Sequence, residues 1–284
     1  MPHTLHGIEL TDETIAELEM IVGFDDDLAG EATRIANQLR GLLTQIHPHL
    51  ERVLGPRLDH AAVLALLERF GSPAALRKAG RRRLIAVVRP LAPRMFERGL
   101  VEDLLTALDE QTVIVPGTEA AALIVPNLAG SLRAFLDQRK LLEKRIQELL
   151  DEHLLSKILT SMPGIGTRTG ARILIDVGDA SAFPTAAHLA SYAGLAPATR
   201  SSGPSIRGEQ TSHRGNKQLK RAFFLAAFAS LSDPASRAYY DKKINQGKRH
   251  TQALLCLARR RVDVLFAMLR DGTFYESRPA AGSS

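Results

Sequence analysis

The chain of 284 residues contains one cysteine, Cys256, and no tryptophan. A lone cysteine excludes a disulfide framework and any thiolate-built zinc cluster within one chain, and it fits a reducing compartment. No apolar run reaches the ~18 residues that suggest a membrane span. Met1–Glu13 lacks the basic flank and apolar core of a secretory signal. Alternating apolar and polar residues are scarce as well, which argues against a fold built on sheets. Thr112–Val115 is the most strand-like stretch, and Pro116 ends it. What is present is ordinary for a globular chain: 45% hydrophobic and 24% charged residues, with Ala, Leu, Arg, Glu and Lys dominant. At ~100–200 residues per domain, the length allows one or two domains.

Acidic residues are missing from one region in particular. Residues 199–261 hold 14 Lys or Arg against 3 acids, Glu209, Asp233 and Asp241, a net of +11. The whole chain carries +6, so the remainder sums to −5. A basic module on an acidic scaffold suggests a polyanionic partner, most simply nucleic acid; a solvated basic face is the alternative.

Residues 12–53 carry a helical pattern in which Leu28, Ala32, Ile35, Leu39, Leu42, Ile46 and Val53 step mostly by three and four. Pro48, within His47-Pro48-His49, breaks it, because proline has no amide to donate. Short helices are expected at about 59–69, 73–79 and 94–110, punctuated by Gly71, Gly80, Pro90 and Pro93. A second long helix is expected over 126–152, with Pro126 in its first turn. Its seam is Leu128, Leu132, Phe135, Leu142, Ile146 and Leu149, interrupted by Arg139. The two seams fit a coiled coil between chains, which predicts at least a dimer, or an antiparallel pair within one chain. Glycines become frequent after residue 153. The expectation is an all-α fold in three parts: a helical, coiled-coil oligomerisation region over 1–152, a DNA-binding domain over 153–272, and a disordered tail over 273–284.

Two segments carry the chemistry. In Leu154–Val177 an apolar helix ends near Met162, Pro163-Gly164-Ile165-Gly166 turns the chain, and a second helix starts at Thr167. This is a helix-hairpin-helix pattern. Glycines let a phosphate approach the backbone, and the free amides of the second helix bind it. Gly164, Gly166, Thr167 and Arg168 are the candidate contacts. In Leu189–Ala222 a Gly/Pro/Ser loop carries Arg200, Arg207 and Arg214 around Ser201, Ser202 and Ser205, followed by a helix capped by Asn216. Lys217 and Lys220 place positive charge at that helix's start, where its dipole disfavours cations. A serine here is a candidate nucleophile, but the arginines can only stabilise charge; they cannot act as a base. His213 lies in the same loop without a Ser-His-Asp order. Elsewhere, Asp25-Asp26-Asp27 reads as a solvated helix face. His47 and His49 read as turn residues, Cys256 as core, and Arg81–Arg83 and Arg259–Arg261 as solvated or phosphate-contacting.

The stretches SMPGIGTRTGARIL and FPTAAHLASYAGLAPATRSSGPSIRGEQTSHRGNKQLKRAFFLAAF closely resemble the C-terminal domain of DEDD-type insertion-sequence transposases of the insertion-sequence one-ten family. FDDDLAGEATRIANQLRGLL resembles the long helix that follows the catalytic domain in that family. The resemblance implies a DNA recombinase that forms homo-oligomers and works with a structured guide RNA, in the bacterial cytoplasm with the nucleoid. It implies a serine nucleophile before the glycine of a Ser-Gly step, here Ser202, with Ser201 adjacent. It also implies a divalent metal held by an Asp-Glu-Asp-Asp set in an N-terminal RNase H-like domain. No sheet that could hold such a set precedes residue 25. No metal ligands and no cofactor are therefore assigned to this chain, and it is expected neither to cleave nor to join DNA alone. A non-enzymatic nucleic-acid-binding regulator is the alternative reading.

Overall fold

A computed structural model describes the backbone of residues 5–111, 113–201, 207–211 and 215–277. These residues are almost wholly helical: α1 Leu5–Ile46, α2 Pro48–Leu54, α3 Ala61–Phe70, α4 Pro73–Leu91, α5 Pro93–Glu97, α6 Leu100–Glu110, α7 Thr118–Glu152, α8 Leu154–Ser161, α9 Thr167–Val177, α10 Ala186–Tyr192, α11 Lys217–Ala229, α12 Pro234–Asn245 and α13 His250–Asp271. The fold is all-α with one addition, an antiparallel strand pair, β1 Pro197–Ser201 and β2 Arg207–Thr211. The strand-like run near 112 is not a strand: residues 113–115 are irregular, with Val113 and Ile114 exposed. The pairing instead joins two short segments across Ser202–Ile206, whose Gly203-Pro204 is a turn signal.

The chain forms two compact units, one of residues 1–23 with 143–284 and one of residues 24–142. The divisions fall inside α1 and α7; the change of sequence texture at 153 lies within the first unit.

In the 24–142 unit, Ala32, Ile35, Leu39 and Leu43 of α1 join Val125, Ala129 and Leu132 of α7 and the apolar faces of α2, α3, α4 and α6 in one core. The seam residues of α1 are thus buried within the chain; Leu43 carries the fully buried position, with Leu42 half-buried beside it. Arg139, which interrupts the second seam, is accounted for by Asp25. Its Nε and Nη2 donate to the two carboxylate oxygens at 2.9 and 3.0 Å. Asp25 is only 4% exposed, so the acidic triplet is not a uniformly solvated face. One of its members is the buried half of an ion pair, and the pair fixes α1 and α7 antiparallel here.

Pro126 lies inside α7, not in its first turn. The helix begins eight residues earlier, at Thr118, whose hydroxyl donates to the Val115 carbonyl at 2.6 Å. A proline inside a helix leaves the carbonyl four residues back, that of Ala122, without its partner. Gly71, at φ +63°, faces this site: a Cβ there would lie 2.6 Å from Pro126 Cγ and 2.9 Å from the Ala122 oxygen. Two further helices run longer or shorter than their punctuation suggests. α4 continues to Leu91 across a non-helical Gly80, and Gly99, at φ +86°, divides α5 from α6.

In the other unit, α1 and α7 also meet antiparallel. Leu18 and Val22 share a core with Ile146, Leu149 and Leu150, and Arg145 donates to Glu17 at 2.8 Å. The rest of that core comes from α8 to α13, with α11 packed on both α9 and α13. Cys256 is half-buried at the edge of this core and not central to it. The start of the expected disordered tail is packed: Thr273 N donates to Met268 O at 3.0 Å, and Tyr275 N donates to Ser161 Oγ at 2.9 Å. Residues 278–284 lie outside the described residues.

Three helices begin on a histidine. Nδ1 of His47, His60 and His153 accepts from the amides of Leu50, Ala62 and Leu155 at 3.1–3.2 Å, capping α2, α3 and α8. Burial holds the imidazoles of His47 and His153 below the ordinary histidine range, and the Arg77 charge adds to this at His47. Protonation would also place a hydrogen on the capping nitrogen and remove the acceptor.

Two outcomes follow. Arg139→Ala strands the Asp25 charge and is expected to destabilise by about 3–5 kcal/mol in urea unfolding, whereas replacing both residues by Leu is expected to recover most of the loss. Because His47 and His153 bind protons less readily when folded, their contribution to stability is complete above about pH 6.5 and is lost as pH falls below it. Melting temperature should therefore drop between pH 7 and pH 5, and His47→Asn, which keeps a capping oxygen, should reduce that drop.

Candidate nucleic-acid interface

The turn between α8 and α9 is held from both sides. Ser156 Oγ donates to the carbonyls of Leu150 and His153, fixing the start of α8. Ile165 N donates to Met162 O at 3.1 Å across the turn. From below, Arg261 of α13 donates through Nη2 to the Pro163 carbonyl. Arg261 is only 4% exposed, and burial pushes its guanidinium down to about 10, which leaves it charged at neutral pH. The Arg259–Arg261 run is therefore not uniformly solvated. Arg259 pairs with Asp263, Arg260 lies over the Tyr239 ring, and Arg261 is interior. The signal was in the periodicity: Leu254, Leu257, Ala258, Arg261, Val262 and Leu265 lie on one apolar face.

The two glycines of the turn do different work. Gly164 takes φ +83°, and a Cβ on it would sit 2.3 Å from the Ala226 carbonyl oxygen and 2.7 Å from Ser230 N. Its bare Cα lets the turn pack on the end of α11; that side is not open to a ligand. Gly166 has extended backbone, and a Cβ there would meet nothing within 4 Å. Its amide donates to Thr169 Oγ1 at 2.9 Å, and no side chain caps the first turn of α9 from the N-terminal side. Of the neighbouring candidates, Thr167 donates to Gln147 Oε1 at 2.6 Å and Arg168 pairs with Glu143 at 3.2 Å. A phosphate at Arg168 would have to compete with that carboxylate.

The second candidate segment is anchored at its two feet. Leu195 N and Ala196 N both donate to Ala190 O at the end of α10, at 2.8 and 3.2 Å. On the return, Gly215 takes φ +102° against Tyr192 O and Gly194, and Asn216 N donates to Tyr192 O at 2.7 Å. Asn216 Oδ1 then caps α11 by accepting from Gln218 N and Leu219 N at 3.0 and 2.9 Å. Between the feet, Arg200 stands opposite Gly208 and Ser201 opposite Arg207 in the strand register. Ser202, Ser205, His213 and Arg214 lie outside the described residues. Lys217 is exposed and Lys220 half-buried in the first turn of α11.

The acidic triplet does not fit a metal site, since both carboxylate oxygens of Asp25 are committed to Arg139. Among the described residues, no group of three or more His, Cys, Asp or Glu is placed to hold a metal ion. No described helix is long and apolar enough to cross a membrane.

A model of the Transposase IS116/IS110/IS902 family matches residues 156–241, and a second transposase model, of the DEDD IS110 type, matches residues 1–48. The chain is 66% identical over 283 residues to an uncharacterized 43.6 kDa protein of insertion element IS110 from Streptomyces coelicolor, which covers 99% of this chain and 70% of that protein. It is 38% identical over 277 residues to an uncharacterized 42 kDa protein of insertion element IS900 from Mycobacterium paratuberculosis, covering 97% of this chain and 69% of that one. A pilin gene-inverting protein of Moraxella lacunata is 30% identical over 168 residues, 56% of this chain and 52% of its own length.

The contrast between the two glycines is testable. Gly164→Val forces a side chain into α11 and is expected to lower the melting temperature by several degrees. Gly166→Val is expected to leave melting nearly unchanged while weakening duplex DNA binding, read by fluorescence anisotropy. Equal effects of the two on melting would remove the distinction.

Proposed function

The chain belongs to the family of IS110-type insertion-element transposases, and from that membership we propose that its residues 153–272 grip the DNA backbone during transposition, through the turn between α8 and α9 and the basic start of α11. DNA transposition is the activity of the family. The observation that carries the backbone reading is Gly166, which leaves open space beside the uncapped first turn of α9. Amides there, with the positive end of the helix dipole, suit a phosphate oxygen and carry no base information. The pattern is that of a helix-hairpin-helix. Arg200 and Arg207 add to the positive charge that this segment offers a nucleic acid.

Ser202 is the proposed nucleophile, and the loop arginines are the proposed stabilisers of charge on the attacked phosphate. Removing the serine proton requires a base. The loop arginines cannot supply it, since a guanidinium has no lone pair to accept a proton. A structured RNA partner and a second copy of the chain are further proposals. The first is supported by the +11 segment. The second has less support than the seams alone suggested, because most of their residues are buried within one chain. A chain that binds DNA would work with the nucleoid in the cytoplasm.

Binding to duplex DNA is expected to weaken steeply with salt, the logarithm of affinity falling with a slope of about −0.9 per phosphate neutralised. Lys217→Ala should make the slope shallower by about one contact, while Ser202→Ala should leave slope and affinity unchanged and abolish any strand joining. A salt-independent affinity would overturn the reading.

A further inference from the structure

One part of the basic unit is not used by the turn or by the strand pair. α11 turns Arg221, Leu225 and Phe228 outward at helical spacing, with Leu225 44% and Phe228 54% exposed. The ring of His250, at the start of α13, stands edge-to-face to Phe228 at 6.3 Å and to Tyr240 of α12 at 5.7 Å. A 2.7 Å hydrogen bond between Tyr240 Oη and His250 Nδ1 locks two of the three rings together. Three helices thus contribute to one aromatic surface, held by ring contacts and a hydrogen bond.

Basic side chains flank it. Arg221 and Arg249 are exposed beside it, and Arg237 lies over the Tyr240 ring at 5.8 Å. The nearby acids are already occupied: Asp241 accepts from Arg237 at 2.9 Å, and Asp233 caps α12 through Ser236 N. An exposed phenylalanine costs free energy in water and marks an interaction surface when it belongs to a patch. Basic groups around aromatic faces match a chain of phosphates carrying exposed bases. Bases inside a duplex are stacked on one another and cannot meet such a ring.

We propose that Phe228, braced edge-to-face by His250 and through it by Tyr240, is the platform on which an unpaired DNA base stacks, with Arg221 and Arg249 holding the adjoining phosphates. This rests on the DNA-binding reading above and deepens it. The turn between α8 and α9 would take duplex backbone, and this second surface would take the strand that separates from its partner when DNA is cut and rejoined. DNA is the strand assigned because transposition exposes it.

The test uses the full chain and fluorescein-labelled probes: a ~20-nucleotide oligothymidine, its oligouridine equivalent and a duplex of the same length. Wild type is expected to bind the oligothymidine. Phe228→Ala and Phe228→Leu should both weaken it about ten-fold or more, Phe228→Trp should retain it, and the duplex affinity of all three should stay within about two-fold. Unchanged melting curves establish that the variants fold. Retention in Phe228→Leu would show apolar contact without stacking and overturn the platform, as would an equal loss on duplex. Tighter binding of oligouridine would overturn the assignment to DNA. A dimer that Phe228→Ala dissociates, with oligothymidine binding unchanged, would assign the patch to a second copy instead. Failure of wild type to bind duplex would count against the underlying DNA-binding reading; normal duplex binding with no effect of Phe228 would sink the platform alone.

Discussion

The contact between Arg261 and the Pro163 carbonyl organises the basic unit. An interior guanidinium carries a desolvation cost of several kcal/mol, which only good partners offset. Here a carbonyl accepts from it, and the Asp233 carboxylate favours its charge. Meeting this requirement brings α13, the turn before α9 and the start of α12 to one place. The Pro163 carbonyl can be there only if the turn is tight, and the turn is tight only because Gly164 can pack bare against the end of α11. The outward face of the turn, with Gly166 and the first amides of α9, is set by what lies beneath it.

Much of this was legible in the sequence, and the rest fails to show for a common reason. The break at Pro48, the turn at Pro163–Gly166, the start of α9 at Thr167 and the cap at Asn216 all depend on residues adjacent in the chain. Local chemistry decides them. Arg139, Pro126 and Arg261 are each accommodated by a partner far away in sequence: Asp25, Gly71 and Pro163 respectively. Single-sequence reasoning registers Arg139 as an interruption, gives Pro126 to a first turn and leaves Arg261 to solvent or a phosphate, because none of these partners is adjacent in the chain. The strand pair was missed for a different reason. Its segments are short and lack the apolar alternation that marks a half-buried strand, so only the Gly-Pro between them signalled a hairpin.

The expected coiled coil is a case of the right pattern with an open choice of partner. A seam stepping by three and four is satisfied by any second helix with a matching face. In this chain much of the matching face comes from α7, whose Arg139 and Arg145 meet Asp25 and Glu17 of α1. Charge pairing thus selects the antiparallel arrangement within the chain, a choice that hydrophobic spacing leaves open.

The feet of the strand pair have a consequence for how this protein can diverge. Hydrogen bonds to the carbonyls of Ala190 and Tyr192 bring the chain out of α10 and back into α11 at nearly one point. Once two ends are held together, each doubling of the intervening length costs only about 0.6 kcal/mol of closure entropy. The length of the arm between them can therefore change among descendants at little cost to the α10–α11 junction, so the segment that carries Ser202 can be lengthened or shortened without renegotiating the helical body.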